Sequence, residues 1–350
     1  MFKSIDKIFI LCLLAFKTGT CYSQAIRTGT PAHQTLDRIA FYNTENLFYP
    51  SDDSLTDDKS FTPHGEYHWT YSRYKIKIDH IGRCLALIGI DTPPAIIGLA
   101  EIENKQVLVD LVNCPALAPF NYRIIHKESP DPRGVDVGFL YRPDIFQPVF
   151  YEAIDASSPD HPLRTREMLQ VSGQLKGAEI HIFVVHWPSR RGGQIGSEIR
   201  RIQAAEILKI RIQSIMDKNP FANILIMGDF NDNPEDVSLK TALGALPPRS
   251  PDQQNLINLM FPLAARNEGS YCRQHNFLEW DNLDQIIVSL TMFTGENGLK
   301  VDKGEAHIFR EAFLLDRDQT RPWPTYLGLR YLGGFSDHLP VYTDIGSPDP

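Results

Sequence analysis

Long apolar runs are missing from this chain. No stretch of about 20 such residues occurs, so it is not a multi-span membrane protein and carries no stable membrane span. Cysteine is scarce, with 5 among 350 residues, and no two form a CxxC pair, which excludes zinc-finger spacing. Basic charge is in deficit: Lys and Arg number 35 against 43 Asp and Glu, a net charge of −8. Tight, sequence-independent nucleic-acid binders use a basic face to release counterions from phosphates. An acidic chain argues against that class, although a local basic patch is compatible with it. There is no internal repeat, coiled-coil heptad or low-complexity linker, and the 25 prolines and 23 glycines are scattered, so nothing collagen-like is present. What is present is apolar residue in plenty, 42%, with 22% charged, which suits a folded core and not a disordered chain. The length allows one large domain or two ordinary ones.

The N-terminus reads as a secretory leader. Lys3 and Lys7 precede or border a short apolar block at residues 8–16, and Cys21-Tyr22-Ser23 offers small residues for cleavage before Gln24. The block is too short to span a bilayer comfortably. Thr18-Gly19-Thr20 lacks the leucine-led pattern that precedes a lipidated cysteine, which disfavours anchoring at Cys21. The expectation is a secreted or periplasmic protein. Removing residues 1–23 takes away Lys3, Lys7 and Lys17 against Asp6, a net +2, so −8 becomes −10. Cys84, Cys114 and Cys272 then remain, either as one disulfide plus a thiol or as buried unpaired thiols.

Short apolar runs at residues 39–42, 95–100, 135–141, 179–185, 224–227 and 285–288 read as strands covered on both faces. Helical spacing is clearest from Ser197 to Met216, through Ile199, Ile202, Ala205, Ile207, Leu208, Ile212 and Ile215. A second helix is expected over residues 71–87 on Ile78, Ile81, Leu85 and Ile88, and a third after Asn104 on Val107, Leu108, Leu111 and Val112. Strands alternating with helices imply an α/β fold of two sheets with helices outside. Residues 51–66, with Asp52, Asp53, Asp57 and Asp58, read as a solvated acidic loop in preference to a calcium site.

Polar residues gather at the ends of the apolar runs, where a rigid scaffold hands side chains to a cleft. These are Asn43-Thr44-Glu45-Asn46, Glu101-Ile102-Glu103-Asn104, His186 to Arg191, Gly228-Asp229-Phe230-Asn231-Asp232-Asn233, Leu283-Asp284-Gln285 and Ser336-Asp337-His338. Glu45, Glu101, Asp229, Asp284 and Asp337 with the amides of Asn43 and Asn231 are hard oxygen donors. They suit Mg²⁺, with Mn²⁺ or Ca²⁺ as alternatives, and not zinc. Two histidines beside such a cation, His186 and His338, suit phosphoryl chemistry: one neutralises developing charge, the other is held in its tautomer by a carboxylate.

The ordered set resembles the endonuclease/exonuclease/phosphatase superfamily, shared by DNase I, abasic-site endonucleases, neutral sphingomyelinases and inositol-polyphosphate 5-phosphatases. The resemblance covers about residues 37 to 345, leaving residues 24–36 as a lead-in and 346–350 as a tail. More narrowly, Phe41 through Phe48, Trp280 through Ser289 and Gly333 through His338 are similar to secreted members from Bacteroidetes-type bacteria. The resemblance implies a four-layer α-β-β-α sandwich, DNase I-like, with two packed mixed sheets. It makes Glu101 the principal metal ligand, with Asn43 and Glu45 beside it and Asp337 near the metal. Asp229 would orient or deprotonate the attacking water, and Asn231 would steady the phosphate. Asp284 would orient His338, which stabilises the pentacovalent state or protonates the leaving oxygen, with His186 across the scissile phosphate. Arg133 is a candidate phosphate clamp, because a guanidinium matches two phosphate oxygens at once. Asp136 beside it is read as a strand-end acid with no role.

Two departures stand out. Glu45 occupies a position where many nucleases carry Asp, and no long basic insertion is evident; Arg190 and Arg191 are the main basic pair near a motif. Arg190 is accordingly a candidate for an anionic substrate. The expected activity is a metal-dependent phosphoesterase, an endonuclease or other phosphodiesterase before a phosphomonoesterase on sugar, inositol or lipid phosphates. An inactive binding module on the same fold is the remaining alternative. The expected partner is the phosphoester substrate, nucleic acid or a small phosphorylated molecule, and no protein partner is implied.

Overall fold

Each apolar run is a strand because both of its faces are covered. In the computed structural model, residues 35–89, 93–157, 165–190, 193–248, 256–272 and 279–348 are described. The expected leader, Cys21 and Arg191 lie outside them. Strands β1 (Asp37–Leu47), β2 (Ile96–Ile102), β3 (Arg123–His126) and β4 (Asp136–Tyr141) belong to one sheet. Strands β5 (Phe146–Ile154), β6 (Met168–Leu175), β7 (Ala178–His186), β8 (Ile224–Asp229), β9 (Leu256–Asn258) and β10 (Asp284–Ser289) belong to a second. The last strand, β11 (Val341–Gly346), returns to the first sheet beside β1. The first sheet runs β11-β1-β2-β4-β3, extended at the β11 edge by Lys300–Val301 and His307–Ile308. The second runs β5-β6-β7-β8-β10-β9, ending on Ala245–Leu246.

Alternation along the strands builds the layers. Ile39, Phe41, Val137 and Phe139 face Val171, Ile182, Val184, Leu225, Met227, Ile286 and Val288 across the gap between the sheets. The sheets approach so closely at Gly98 that a Cβ there would lie 2.9 Å from Met227 Cε. The alternate residues Ala40, Tyr42, Ile97, Leu99 and Leu140 meet helices α1 (Tyr71–Ile88) and α2 (Lys105–Val112). On the far side Phe183, Val185, Ile224, Ile226 and Ile287 meet α3 (Gln194–Met216). Three apolar clusters separating four layers make this the DNase I-like α-β-β-α sandwich. No helix among the described residues is long and apolar enough to cross a membrane.

The helices start where their caps dictate. Thr70 Oγ1 accepts from the Arg73 N–H and Asn104 Oδ1 from that of Val107, satisfying N–H groups that no earlier turn can reach. In α3 the buried stripe is Ala204, Ala205, Leu208, Ile212 and Ile215, whereas Ile199 is exposed, contrary to expectation. The stripe sits at Arg201 and not at Ile199 at this end, because Arg201 is buried against Asp232. Strands β5 and β6 were not expected. Strand β5 is an edge with exposed Val149, Phe150 and Tyr151 and a bulge at Pro148, so it shows neither a continuous apolar run nor clean alternation. Asp58 also departs from expectation: it is buried, not solvated. Cys84 and Cys114 are buried free thiols, and Cys272 is buried.

Candidate active site

Two bulges set one wall of the site. Strands β1 and β2 pair in parallel as far as Asn43 and Ala100 and then skip to Leu47 and Ile102, and β2 makes the same skip against β4. Within them Glu45 (φ 52), Asn46 (φ 50) and Glu101 (φ 61) adopt left-handed backbone, which is costly for residues with a Cβ. The distortion re-aims side chains that a regular strand would send to alternate faces. The Asn46 N–H thereby donates to Glu101 Oε2 at 2.7 Å, and Thr44 Oγ1 donates to the Ala100 carbonyl at 2.9 Å. Asn43 is fixed from three sides. Its Oδ1 takes the Glu45 N–H (2.9 Å), its carbonyl takes Ser336 Oγ (2.7 Å), and its Nδ2 donates to Asp229 Oδ2 in the other sheet (3.0 Å).

The second sheet sets the opposite wall by register alone. Asp229 pairs with His186 across the parallel β7–β8 ladder and with Asp284 across the antiparallel β8–β10 ladder. Three chemically active side chains therefore stand at one level at the same end of the sheet. His186 Nε2 lies 3.5 Å from Asp229 Oδ2 and 3.9 Å from Glu101 Oε1. Asp229 Oδ1 takes the N–H of Asn231, itself left-handed at φ 53. From the segment before β11, His338 places Nδ1 2.7 Å from Asp284 Oδ2, and its backbone N–H donates to Ser336 Oγ. The rings of Tyr271 and His338 lie 4.9 Å apart.

Burial then drives these groups apart in proton affinity. It pushes the Asp229 carboxyl up to about 7, with Asp284 and Glu101 adding repulsion and His338 opposing. It pushes His186 well below the ordinary histidine range, helped by the positive charges of Arg166 and Arg133. Burial acts the same way on His338 but is overridden: Asp284, Asp337 and Asp229 hold its imidazolium, and its pKa lies well above the ordinary value. A neutral and a charged imidazole thus flank one carboxylate that titrates near neutrality, the separation that assigns acid and base roles.

The residues fit a hard divalent cation. Oxygen donors dominate, and buried Asp284 Oδ1 and His186 Nδ1 have no hydrogen-bond partner. The ligand atoms of Asp229, Asp284 and His338 lie within 4.8 Å of one another. Glu101, partly exposed at the centre of the wall, is the acid best placed to meet a cation from solvent.

The Endonuclease/Exonuclease/phosphatase family model matches residues 38–346. The chain belongs to this family. No curated protein matches it. Among solved structures it is similar to TDP2 from D. rerio complexed with a single-strand DNA product (15% identity, TM-score 0.54, 89% of this chain and 99% of that chain). It is also similar to a mannosyl-6-phosphatase from Bacteroides thetaiotaomicron (17%, TM-score 0.55, 88% and 99%). A third is an endonuclease/exonuclease/phosphatase family protein from the same organism (18%, TM-score 0.53, 91% and 99%). At these identities the likeness concerns the fold.

The structure brings together Asn43, Glu101, His186, Asp229, Asp284 and His338 as one cluster. Asp337 is partly exposed, and burial raises its carboxyl, with Glu101 adding repulsion and His338 and Lys77 opposing. Glu45 sits at the edge of the cluster with both oxygens engaged: Oε2 takes the Thr325 N–H (2.6 Å) and Oε1 the Tyr326 N–H (3.2 Å). Burial, with Asp337 adding repulsion, raises its pKa to about 7. Asn231 gives its Nδ2 to the Trp187 carbonyl. Arg190 is held by Asp236 (2.9 Å), Asp232 (3.3 Å) and the Asn231 carbonyl (2.7 Å), so its Nε and one terminal nitrogen brace the turn after β8. Arg133 is partly exposed beside Asp131, with Nε 3.6 Å from Oδ1. Asp136 is taken up by His126 (3.1 Å) and Ser129.

Two basic residues escaped the sequence reading. Lys77 is fully buried, bonds to Thr325 Oγ1 and the Phe335 carbonyl, and lies 3.9 Å from Glu45 Oε2. Its signal was available: a lysine on the apolar stripe of α1, between Tyr74 and Ile81, is out of place unless it meets an acid. Arg166 is buried, donates to the Trp187 carbonyl (2.7 Å) and pairs with Asp131 (3.0 Å). No local motif marks it.

Proposed function

We propose that the protein is a secreted, divalent-metal-dependent phosphoesterase that hydrolyses a phosphodiester by in-line attack of water. The observation that carries this reading is the row His186–Asp229–Asp284 with His338 behind it, in which the two imidazoles hold opposite charge states beside a carboxylate near neutrality. Asp229 orients the water and takes its proton, a role for which a pKa near the working pH is best. The His338 imidazolium, fixed by Asp284, stabilises the charge that develops on the phosphoryl group. His186, neutral, can hydrogen-bond the phosphoryl oxygens from the other side. Arg133, partly exposed, is a cation available to clamp a phosphate. A cation held by Glu101, with Asn43 and Asp337 close by, would polarise the phosphoryl oxygen as a Lewis acid; Mg²⁺ is proposed, with Mn²⁺ or Ca²⁺ as substitutes. The leader-like N-terminus supports export.

A second reading has two observations in its favour. The chain is acidic, −8 overall, and one protein with this fold is a mannosyl-6-phosphatase. A phosphomonoesterase on sugar, inositol or lipid phosphates would need no basic groove. Incubating the protein with plasmid DNA, RNA and a panel of phosphomonoesters, with Mg²⁺, Mn²⁺ or EDTA, separates these readings. Hydrolysis of none of them under any condition would overturn the enzyme and leave a binding module.

A further inference from the structure

A cavity of about 700 Å³ lies between α1 and the segment 312–335, on the helix-covered side of the first sheet. No residue of the catalytic cluster lines it. Its charge runs against that of the chain. Arg83, Arg317, Arg321 and Arg330 meet only Asp316 and Asp318 there, a local +2 in a molecule of −8. Arg321 is taken up by Asp316, with Nε 3.0 Å from Oδ2. Arg83, Arg317 and Arg330 are exposed, and their guanidinium groups have no ion pair or hydrogen bond among the described residues. The chain carries 43 acids, yet none pairs with these three. They come from three segments: α1, the loop closed by the Leu315–Pro322 bridge, and the hairpin at residues 326–331. Much of the remaining lining is aromatic. His80 stacks on Phe335, with centroids 4.4 Å apart and planes at 12°, and Phe313 and Trp323 lie 5.4 and 6.2 Å from the same ring. Phe313 and Trp323 are partly exposed.

We propose that this cavity is a second binding site, for a small organic phosphate whose remaining part is a ring: a nucleoside monophosphate or a hexose phosphate. A guanidinium matches two phosphate oxygens at once, and three unpaired ones around one cavity supply more donors than a single carboxylate could use. A phosphate monoester carries about two negative charges near neutral pH, which meets the local +2. The part-exposed rings of Trp323 and Phe313 suit the other half of the ligand, by stacking on a base or packing on the C–H face of a sugar. The volume falls within the ~300–1,000 Å³ of small-molecule sites and is too small for a duplex or a folded partner. Phe335 runs on into Ser336 and His338, so the ligand would sit behind the segment that delivers them to the cluster. The proposal does not depend on the chemistry of that cluster.

The test is calorimetric titration of the full chain in EDTA, which withholds the cation that turnover is proposed to need. The probes are AMP, glucose 6-phosphate, adenosine and inorganic phosphate. AMP or glucose 6-phosphate is expected to bind, whereas adenosine and inorganic phosphate each carry half of the recognised chemistry and are expected to bind at least about tenfold more weakly. A preference for AMP identifies base stacking, and a preference for glucose 6-phosphate identifies sugar packing. The double variant Arg83→Ala/Arg330→Ala loses two charged contacts from exposed positions. It is expected to bind the preferred probe at least about tenfold more weakly, with the melting temperature and any phosphoester hydrolysis in Mg²⁺ unchanged. If neither organic phosphate binds at millimolar concentration, the inference is wrong. It is equally wrong if inorganic phosphate binds as tightly as either, which would leave an anion patch only, or if the double variant binds undiminished, which would place the ligand in the catalytic cluster. Hydrolysis is read separately, so failure here leaves the phosphoesterase reading untouched.

Discussion

Asp229 is in contact with almost everything the chemistry requires. Asn43 and the Asn231 N–H fix its two oxygens, and His186 and Asp284 flank it in register. Asp229→Asn keeps this shape but removes the proposed base, so kcat is expected to fall by about 10²–10⁴ while the melting temperature holds or rises. A change that leaves turnover intact would favour a binding module. Glu101→Gln is expected to raise the Mg²⁺ concentration needed for half-maximal activity, measured by titrating metal into the assay. Residues of this kind were legible because Gly-Asp-Phe-Asn and Ser-Asp-His are too polar to end or begin an apolar strand for structural reasons alone. Arg166 was not, since its role depends on an acid far away in sequence, Asp131, and pairing across such a distance leaves no local pattern; Lys77 is visible only as a lysine on the apolar stripe of α1, and its acid, Glu45, is not.

Elements were legible where a strand buried on both faces is written in apolar residues; β6 is buried on both faces too, but Gln170, Ser172, Gly173 and Gln174 interrupt its apolar run and hid it. Strands β1, β2, β7, β8 and β10 read directly as apolar runs. Strand β5, half exposed at a sheet edge, did not. In α3 the apolar spacing was visible but its face was misplaced at the N-terminal end, because a buried ion pair replaces an apolar residue there. Arg201 is wholly buried with its Nε 2.6 Å from Asp232 Oδ2, and Ser238 Oγ donates to the same oxygen. Asp232 also receives Arg190, so it ties α3 to the turn that presents Asp229 and Asn231. Asp232→Ala would leave a guanidinium in the interior without its acid. Removing one partner of a buried pair costs about 3–5 kcal/mol, and urea unfolding is expected to show a loss of that order. A loss near zero would mean that the surrounding carbonyls satisfy Arg201 unaided.

At the scale of the whole molecule, the site is a store of charge that folding must accommodate. Glu45 and Asp229 titrate at about 7 in the folded chain, against an ordinary carboxylate value near 4. Between those values the folded state holds more protons than the unfolded state. Stability from these two groups is therefore fully present at low pH and is lost as pH rises through about 7. His338 acts in the same direction, because its raised pKa favours the folded state below the ordinary histidine value and the benefit fades as pH rises through the folded one. His186 opposes them: with a lowered pKa, its contribution is lost as pH falls. Asp337, also raised by burial, adds to the first set, and four groups against one predict that in EDTA the melting temperature drops between about pH 5 and about pH 8. A cation binds the ionised acids of the folded state, so Mg²⁺ is expected to restore stability at the higher pH and to do little at the lower, where protons compete for the same oxygens. Thermal unfolding at both pH values with and without Mg²⁺ measures all four corners of this cycle. A melting temperature that rises with pH in EDTA, or a Mg²⁺ effect equal at both, would mean that these acids do not share one buried, charge-starved cleft.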